Sequence, residues 1–285
     1  MNKIRKNKII DRLFGAFGIF CTSIGLVVLA ALLIKVFRDG WGRLNGQFFI
    51  ALPSRFAEKA GILTAWTGTL WLLVLTALIV IPVGVGAAIY LEEYSKKGFL
   101  SRVLEINIAN LAAIPSIIYG ILGLAVFVRA FALGESVISG ALILSLLIMP
   151  IIIVATREAL RSVPKTIKEA SYALGASKWQ TLWKQVLPAA AGNIITGIIL
   201  ALSRAIGETA PLIMIGALTY VPFVAKSPMD EFTVLPIQIF NWISRPQHDF
   251  AINAAAGIIV LLAIVFVMNG IAVVIRNKAR KRVKW

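Results

Sequence analysis

EASYALGASKWQTLWKQVLPAAAGNIITGIILALSRAIGETAP, residues 169–211, changes character near its middle. Its first part is polar and turn-rich, from Glu169-Ala170-Ser171-Tyr172-Ala173-Leu174-Gly175 to Leu187-Pro188. Its second part is an apolar helix-forming run that carries Arg204, Glu208 and Pro211 well inside its length. Such a run belongs in hydrocarbon, where a charge is expensive and marks a pairing or a pathway. One segment therefore joins a surface that faces water to an ionised position inside a membrane.

The composition of the whole chain agrees. Of its 285 residues, 59% are hydrophobic, and the mean hydropathy is +0.87. Soluble globular chains sit nearer about 45–50% apolar. Apolar runs recur at the roughly 20-residue length that a helix needs to cross a bilayer. The net charge of +16 would point to nucleic acid on a soluble protein. Here the basic residues gather at the two ends and in short loops, with no basic face interleaved with aromatics. Membrane lipid is the expected surroundings, and nucleic acid is not an expected partner. Cys21, inside the first apolar run, reads as a small packing residue. His248, beside Asp249, reads as a solvated loop residue. No metal site is expected. There is no G-x-x-x-x-G-K-[ST] loop, so any ATP must be handled by a partner, and no catalytic residue is assigned.

Six spans can be placed: 14–36, 64–90, 106–128, 137–156, 190–218 and 251–275. The first run is too long for a secretory signal core and is read as an uncleaved span. Residues 1–12, 91–103, 157–189 and 276–285 hold 20 of the 29 Lys and Arg. Positive residues collect on the cytoplasmic side, so both termini are expected inside. Residues 37–63 and 219–250 are then outer loops. The fold class is an all-α membrane protein with six transmembrane helices and a single domain, 1–285. Its inner loop is 157–189 and its basic tail 276–285. In the third span, Pro115 cannot bond back to the carbonyl of Leu111, which needs another partner. Either neighbouring helices repair a kink there, or Pro115 and Ser116 line a pathway.

The inner loop has legible local structure. Pro164 suits the first turn of a helix over 165–174, and Gly175 is placed to end it in a left-handed conformation. Ser177 with Gln180 makes a capping box for a second helix through Trp179, Leu182 and Trp183. Leu187-Pro188 is expected to stop that helix before the fifth span. The result is a helical knob exposing Lys168, Glu169 and Tyr172. The alternative is an amphipathic hairpin lying on the bilayer through the Trp pair with Lys178 and Lys184.

Arg204 and Glu208 are four apart and share a face on a helix. Counted from Ala190, Arg204 lies ~21 Å into the span. The same face carries Leu200, Gly197 and Asn193 on one side, then Gly207 and Pro211 on the other, with Pro211 freeing the carbonyl of Gly207. This small, polar stripe belongs on a protein-facing or water-filled wall. Two readings stand: an ion pair that locks two helices, or the lining of a solute route.

The inner loop resembles the EAA loop of ABC importer permeases, E-A-A-x-x-x-G followed by a hydrophobic residue and L-P. Glu169, Ala170, Gly175, Leu187 and Pro188 match it, Ser171 replaces the second Ala, and Gln185 stands where Ile or Val is usual. AIPSIIYG (113–120) and SRAIGETAP (203–211) are similar to the membrane subunits of the phosphate-specific importer, the PstA type above all. The resemblance runs from about residue 64 onward. It implies the MetI-like architecture of type I importers, in the cytoplasmic membrane of a prokaryote. Implied partners are a related PstC-like permease, two PstB-like ATPase subunits and an external PstS-like phosphate-binding protein. ATP is used by the ATPase subunits, so no cofactor is bound by this chain. Glu169, Ala170, Gly175, Leu187 and Pro188 would couple to the ATPase, and Arg204, Glu208, Pro115, Ser116, Gly207 and Thr209 would line the phosphate pathway. A guanidinium matches two phosphate oxygens, Glu208 can compete for Arg204 to allow release, and protonated phosphate can donate to Glu208 where sulfate cannot. A permease for another oxyanion such as sulfate or molybdate is the alternative within the class. A membrane assembly factor is the alternative outside it. An intramembrane hydrolase ranks last, having no His or Cys nucleophile pairing.

Overall fold

Apolar side chains with few helix breakers fold the long runs into helices, whose backbones satisfy themselves. The computed structural model describes residues 2–96, 98–217 and 220–281. α1 (Asn2–Gly40) leads through a 3-10 turn (Trp41–Arg43) to α2 (Gly46–Ile50) and a second 3-10 turn (Ala57–Lys59). α3 (Leu63–Ile89) ends in a π-helical turn (Tyr90–Tyr94). α4 (Phe99–Ala113) and α5 (Ser116–Gly123) follow, then a π-helical stretch (Leu124–Ala130) and α6 (Val137–Arg161). α7 (Lys165–Ala173) and α8 (Lys178–Thr181) form the inner loop, and a third π-helical turn (Leu182–Val186) runs into α9 (Leu187–Ile206). α10 (Ala210–Met214), α11 (Leu235–Ile243) and α12 (His248–Lys281) complete the order.

Among the described residues, five helical stretches are long and apolar enough to cross a membrane: 10–43, 63–94, 137–161, 178–206 and 248–278. The expected third span is not a straight crossing. Ser101–Ala113 and Ser116–Ala130 meet at 101°, and counting the bent pair as one span gives six. The cause is local. The residue before a proline avoids helical dihedrals, and Ile114 and Pro115 are both extended (ψ 133 and 137). The carbonyl of Leu111, left free by Pro115, accepts the Tyr119 hydroxyl at 2.8 Å.

α3, α6 and α9 make the centre, where Leu72, Val80, Leu144, Ile148, Ile152 and Ala201 are buried. A second cluster joins α2, α11 and α12 through Phe48, Leu235, Trp242 and Phe250. α11 corrects the reading of 219–250 as a plain outer loop, because Phe232, Val234, Leu235, Ile237 and Trp242 are buried in it. α1 packs against α12, with Gly40 close to the backbone of Ala255 and Ala256. Cys21, expected to pack, is exposed on α1, and His248 opens α12 rather than sitting in a loop. The fifth span ends at Ile206, short of the expected 218. Residue 218 and the tail from 282 onward lie outside the described residues.

α5 and α10 touch through a glycine. A Cβ on Gly120 would fall 2.7 Å from Pro211 Cα and 2.8 Å from Met214 Cβ. Gly120→Val is expected to destabilise the fold by about 1–3 kcal/mol through overpacking. Gly86→Ala, with nothing within 4 Å of its Cβ, is the control. Thermal unfolding in detergent should show a lowered midpoint for the first alone, and equal midpoints would refute the contact.

Candidate functional site

The apolar helix that carries Arg204 stops where the sequence makes it stop. Pro211 has no N–H and its ring would strike the carbonyl four residues earlier, that of Gly207. α9 therefore closes at Ile206, and α10 restarts with Pro211 in its first turn. This corrects the expectation of one continuous helix. Glu208 lies beyond the end of α9, and the Gly207 carbonyl accepts Thr209 Oγ1 at 3.4 Å. The pair forms nonetheless, with Arg204 Nε 3.3 Å from Glu208 Oε1. Its halves differ in exposure: the Arg204 side chain is 48% accessible, that of Glu208 16%. The Arg204 side chain makes no other hydrogen bond or ion pair among the described residues, so its Nη groups are open. Along α9, Asn193, Leu200, Arg204 and Gly207 share the exposed face. Gly197, expected beside them, is instead buried against Ala155 of α6.

The two motif stretches converge here. Gly120 of α5 lies on Pro211 of α10. Pro115 is exposed and Ser116 half-buried at the α4–α5 break, and neither bonds to Arg204 or Glu208. The structure thus brings together Arg204, Glu208, Gly207 and Thr209, and joins them to Pro115 and Ser116 only through α5.

On the other side, the inner loop folds nearly as its residues dictate. Pro164 precedes α7 with φ −56, and Gly175 takes φ +82, a region costly for side chains with a Cβ. The capping box is complete: Gln180 N donates to Ser177 Oγ at 3.2 Å and Ser177 N to Gln180 Oε1 at 2.9 Å. Ser171, the departure from Ala, has a use, since its hydroxyl meets that of buried Thr181 at 2.8 Å and ties the two arms. Glu169, Ala170, Tyr172 and Gly175 are exposed, and Leu174 is 89% accessible. Two expectations fail. Lys168 is not free but pairs with Glu93. Leu187-Pro188 does not stop the second arm, because a π-helical turn carries it straight into α9. Leu187 N bonds Leu182 O there, a wider turn that accommodates the proline ring. Gln185 is exposed, so its polarity disturbs no packing. Trp179 and Trp183 stand edge to face at 5.2 Å, both more than half accessible.

Sequence reading missed the ion pairs around this loop. Arg157 bonds both Glu92, at 3.2 Å, and Glu105, while Arg161 reaches Glu92 at 2.9 Å. The available signal was the presence of adjacent acids, Glu92 and Glu93, on a side otherwise rich in Lys and Arg. It also missed the Ser203 hydroxyl to Asn269 Oδ1 bond, 2.7 Å, between α9 and α12. Among the described residues no group of three His, Cys, Asp or Glu is placed to hold a metal ion.

Comparison with known proteins gives consistent relatives. The family described as "Binding-protein-dependent transport system inner membrane component" matches residues 80–281. The probable ABC transporter permease protein YqgI of Bacillus subtilis is 34% identical, over 91% of this chain and 93% of its own. The phosphate transport system permease protein PstA of Yersinia pestis is 34% identical over 90% and 86%. PstA 1 of Mycobacterium tuberculosis H37Rv is 33% identical over 90% and 81%. In fold, the chain is similar to a bacterial alginate ABC transporter solved with an alginate-bound periplasmic protein (TM-score 0.66, 18% identity, 94% and 97% covered). It is also similar to the MetNI methionine ABC transporter in an inward-facing conformation (TM-score 0.60, 18% identity, 76% and 95% covered).

The left-handed turn gives a direct test of the loop. Gly175→Val should cost roughly 1 kcal/mol or more locally, whereas Gly175→Asn should be tolerated. Amide hydrogen exchange over 171–182 should quicken in the first variant alone, with the exchange of α6 unchanged. Equal exchange in wild type and Gly175→Val would contradict the turn.

Proposed function

This chain belongs to the family of binding-protein-dependent transport system inner membrane components, and we propose that it is the PstA-like permease subunit of an ATP-driven inorganic phosphate importer. Permeases of this family work with ATPase subunits and an external binding protein. For this chain the partners are then a PstC-like permease, PstB-like ATPases and a PstS-like phosphate-binding protein.

The observation that carries the phosphate reading is the open guanidinium at the break between α9 and α10. Glu208 engages Arg204 through Nε, which leaves the Nη edge to take two anion oxygens at once. The pair is local, spanning one turn of one segment, so it is poorly suited to locking separate helices together. Glu208 competes with the anion for the cation and keeps the hold weak enough for release. Protonated phosphate can also donate to Glu208, which sulfate cannot. Gly207 and Thr209 shape the break, and Pro115 and Ser116 border it through α5. The names of the PstA relatives point the same way.

At the cytoplasmic side, Glu169, Ala170 and Gly175 are the exposed contact for the ATPase. Leu187 and Pro188 hand the loop over to α9. With the bent pair as one crossing, both basic ends lie on the cytoplasmic face.

Uptake and complex yield test this reading in three variants. Arg204→Gln with Glu208→Gln should assemble like the wild type yet lose phosphate uptake by about a hundredfold, the worth of two charge-assisted hydrogen bonds at roughly 1.5 kcal/mol each. Arg204→Gln alone should fail similarly, and Glu208→Gln should keep part of the uptake. Wild-type uptake by the double variant would remove Arg204 from the route. Uptake of sulfate or molybdate in place of phosphate by the wild type would move the reading to that oxyanion.

A further inference from the structure

The π-helical turn at the end of α3 holds three consecutive side chains against three different elements. Glu92 bonds Arg157 and Arg161 of α6. Glu93 bonds Lys168 of α7. The Tyr94 ring lies under Lys178 Nζ, at the start of α8, 4.8 Å from its centroid. Successive side chains on a helical turn point in different directions around its axis, so one short turn can face all three. Both arms of the inner loop therefore grip the end of α3 and not the bilayer alone.

The grip continues beyond α3. Arg157 uses its Nη2 on Glu105, which belongs to α4. Arg157 and Glu93 are each only 9% accessible at the side chain. Exposed ion pairs contribute little because water and salt screen them; Arg157–Glu92 and Lys168–Glu93 are enclosed, while Glu105, 43% accessible, is held from the protein side by Arg157. Alongside them, Ile108 of α4 packs on Ala88, Leu91 and Ile153. α4 then leads through the Ile114-Pro115 break to α5, and α5 bears on α10 through Gly120 and Pro211. A continuous series of contacts thus runs from the exposed loop to the Arg204–Glu208 pair.

We propose that Glu92, Glu93 and Tyr94 form the socket through which the inner loop drives α4, with Arg157 as the positioning residue that passes movement on to Glu105. The proposal rests on reading the inner loop, residues 157–189, as the ATPase-facing coupling loop. α7, the end of α3 and α4 move as one body during the ATP cycle. The bend at Pro115 converts that movement into a displacement of α5 against α10. No substrate chemistry enters this step, so it is independent of which anion is carried.

The test uses the assembled complex in lipid nanodiscs, in a Cys21→Ala background. Spin labels are placed at Thr166 of α7, Arg102 of α4 and Gln247 on the far side. Distances are measured with and without vanadate-trapped nucleotide. In the wild type, trapping should change the 166–247 distance and leave 166–102 constant. In Glu93→Gln and in Glu105→Gln, trapping should still move 166 against 247, but α4 no longer follows and the 166–102 distance changes. The exchange Glu93→Lys with Lys168→Glu should restore the constant distance, which general destabilisation would not. Transport per ATP hydrolysed should fall about tenfold in both single variants, within the range of site-to-site coupling, with ATPase association kept. A constant 166–102 distance in both single variants would overturn the socket, as would a wild-type distance that changes as much as theirs. A 166–247 distance unmoved by trapping would overturn the coupling-loop reading instead, and the socket with it.

Discussion

A broken helix in hydrocarbon has no water to bond its freed peptide groups, and this chain breaks at Ile114-Pro115 and at Gly207. Much of the packing answers that constraint. At the first break the carbonyl of Leu111 takes the Tyr119 hydroxyl and the amide of Ile114, at 2.8 and 3.3 Å. At the second, Gly207 N and Glu208 N turn back to the carbonyls of Arg204 and Ala205, each at 3.2 Å. Irregular backbone at such depth survives only against protein or beside water. α5 and α10 shield each other through Gly120 and Pro211, and α6 backs α5 where Gly123 meets Ile143. The face left open carries Arg204 and Gly207.

The two breaks also make the chain deformable where a transporter must deform. A straight helix passes movement along its axis, whereas a 101° elbow turns it sideways. The charged side chains are divided accordingly. Those near the inner loop are paired across elements, α6 with α4 and the end of α3, and α7 with the end of α3, and bind these pieces together. Arg204 and Glu208 are paired within one segment, and the cation stays half accessible. The first arrangement ties elements together, and the second leaves the guanidinium with an exposed edge.

Signals that act over a few residues were readable from sequence. The positive φ of Gly175, the Ser177–Gln180 box and the orphaned Leu111 carbonyl depend on neighbours in the chain, and each appears in the structure. Where distant residues decide, the reading was incomplete. Nothing local says that 232–242 folds back to bury Trp242, or that Gly197 meets Ala155. Lys168 looked free because its partner, Glu93, is 75 positions away. Pro188 looked like a stop because a π-helical turn, which absorbs it, has no sequence mark as clear as a cap. Pro211 reads as freeing the Gly207 carbonyl within a span that continues to 218, whereas the helix ends at Ile206. At the candidate site, the pairing of Arg204 with Glu208 was legible, while the break that separates them was not.

On the phosphate reading proposed above, the open face at the second break is a wet wall that the anion visits. Position 207 reports on it directly, because the nearest atom to a Cβ there is the Arg204 carbonyl oxygen at 3.8 Å, so a cysteine fits. In the reconstituted complex, with Cys21 replaced by Ala, the rate of reaction of Gly207→Cys with a charged thiol reagent should be measured with and without phosphate. A reactive thiol is expected, slowed by phosphate more than by sulfate, with an inert Ala201→Cys at a fully buried site. An unreactive position 207, or one indifferent to phosphate, would contradict it.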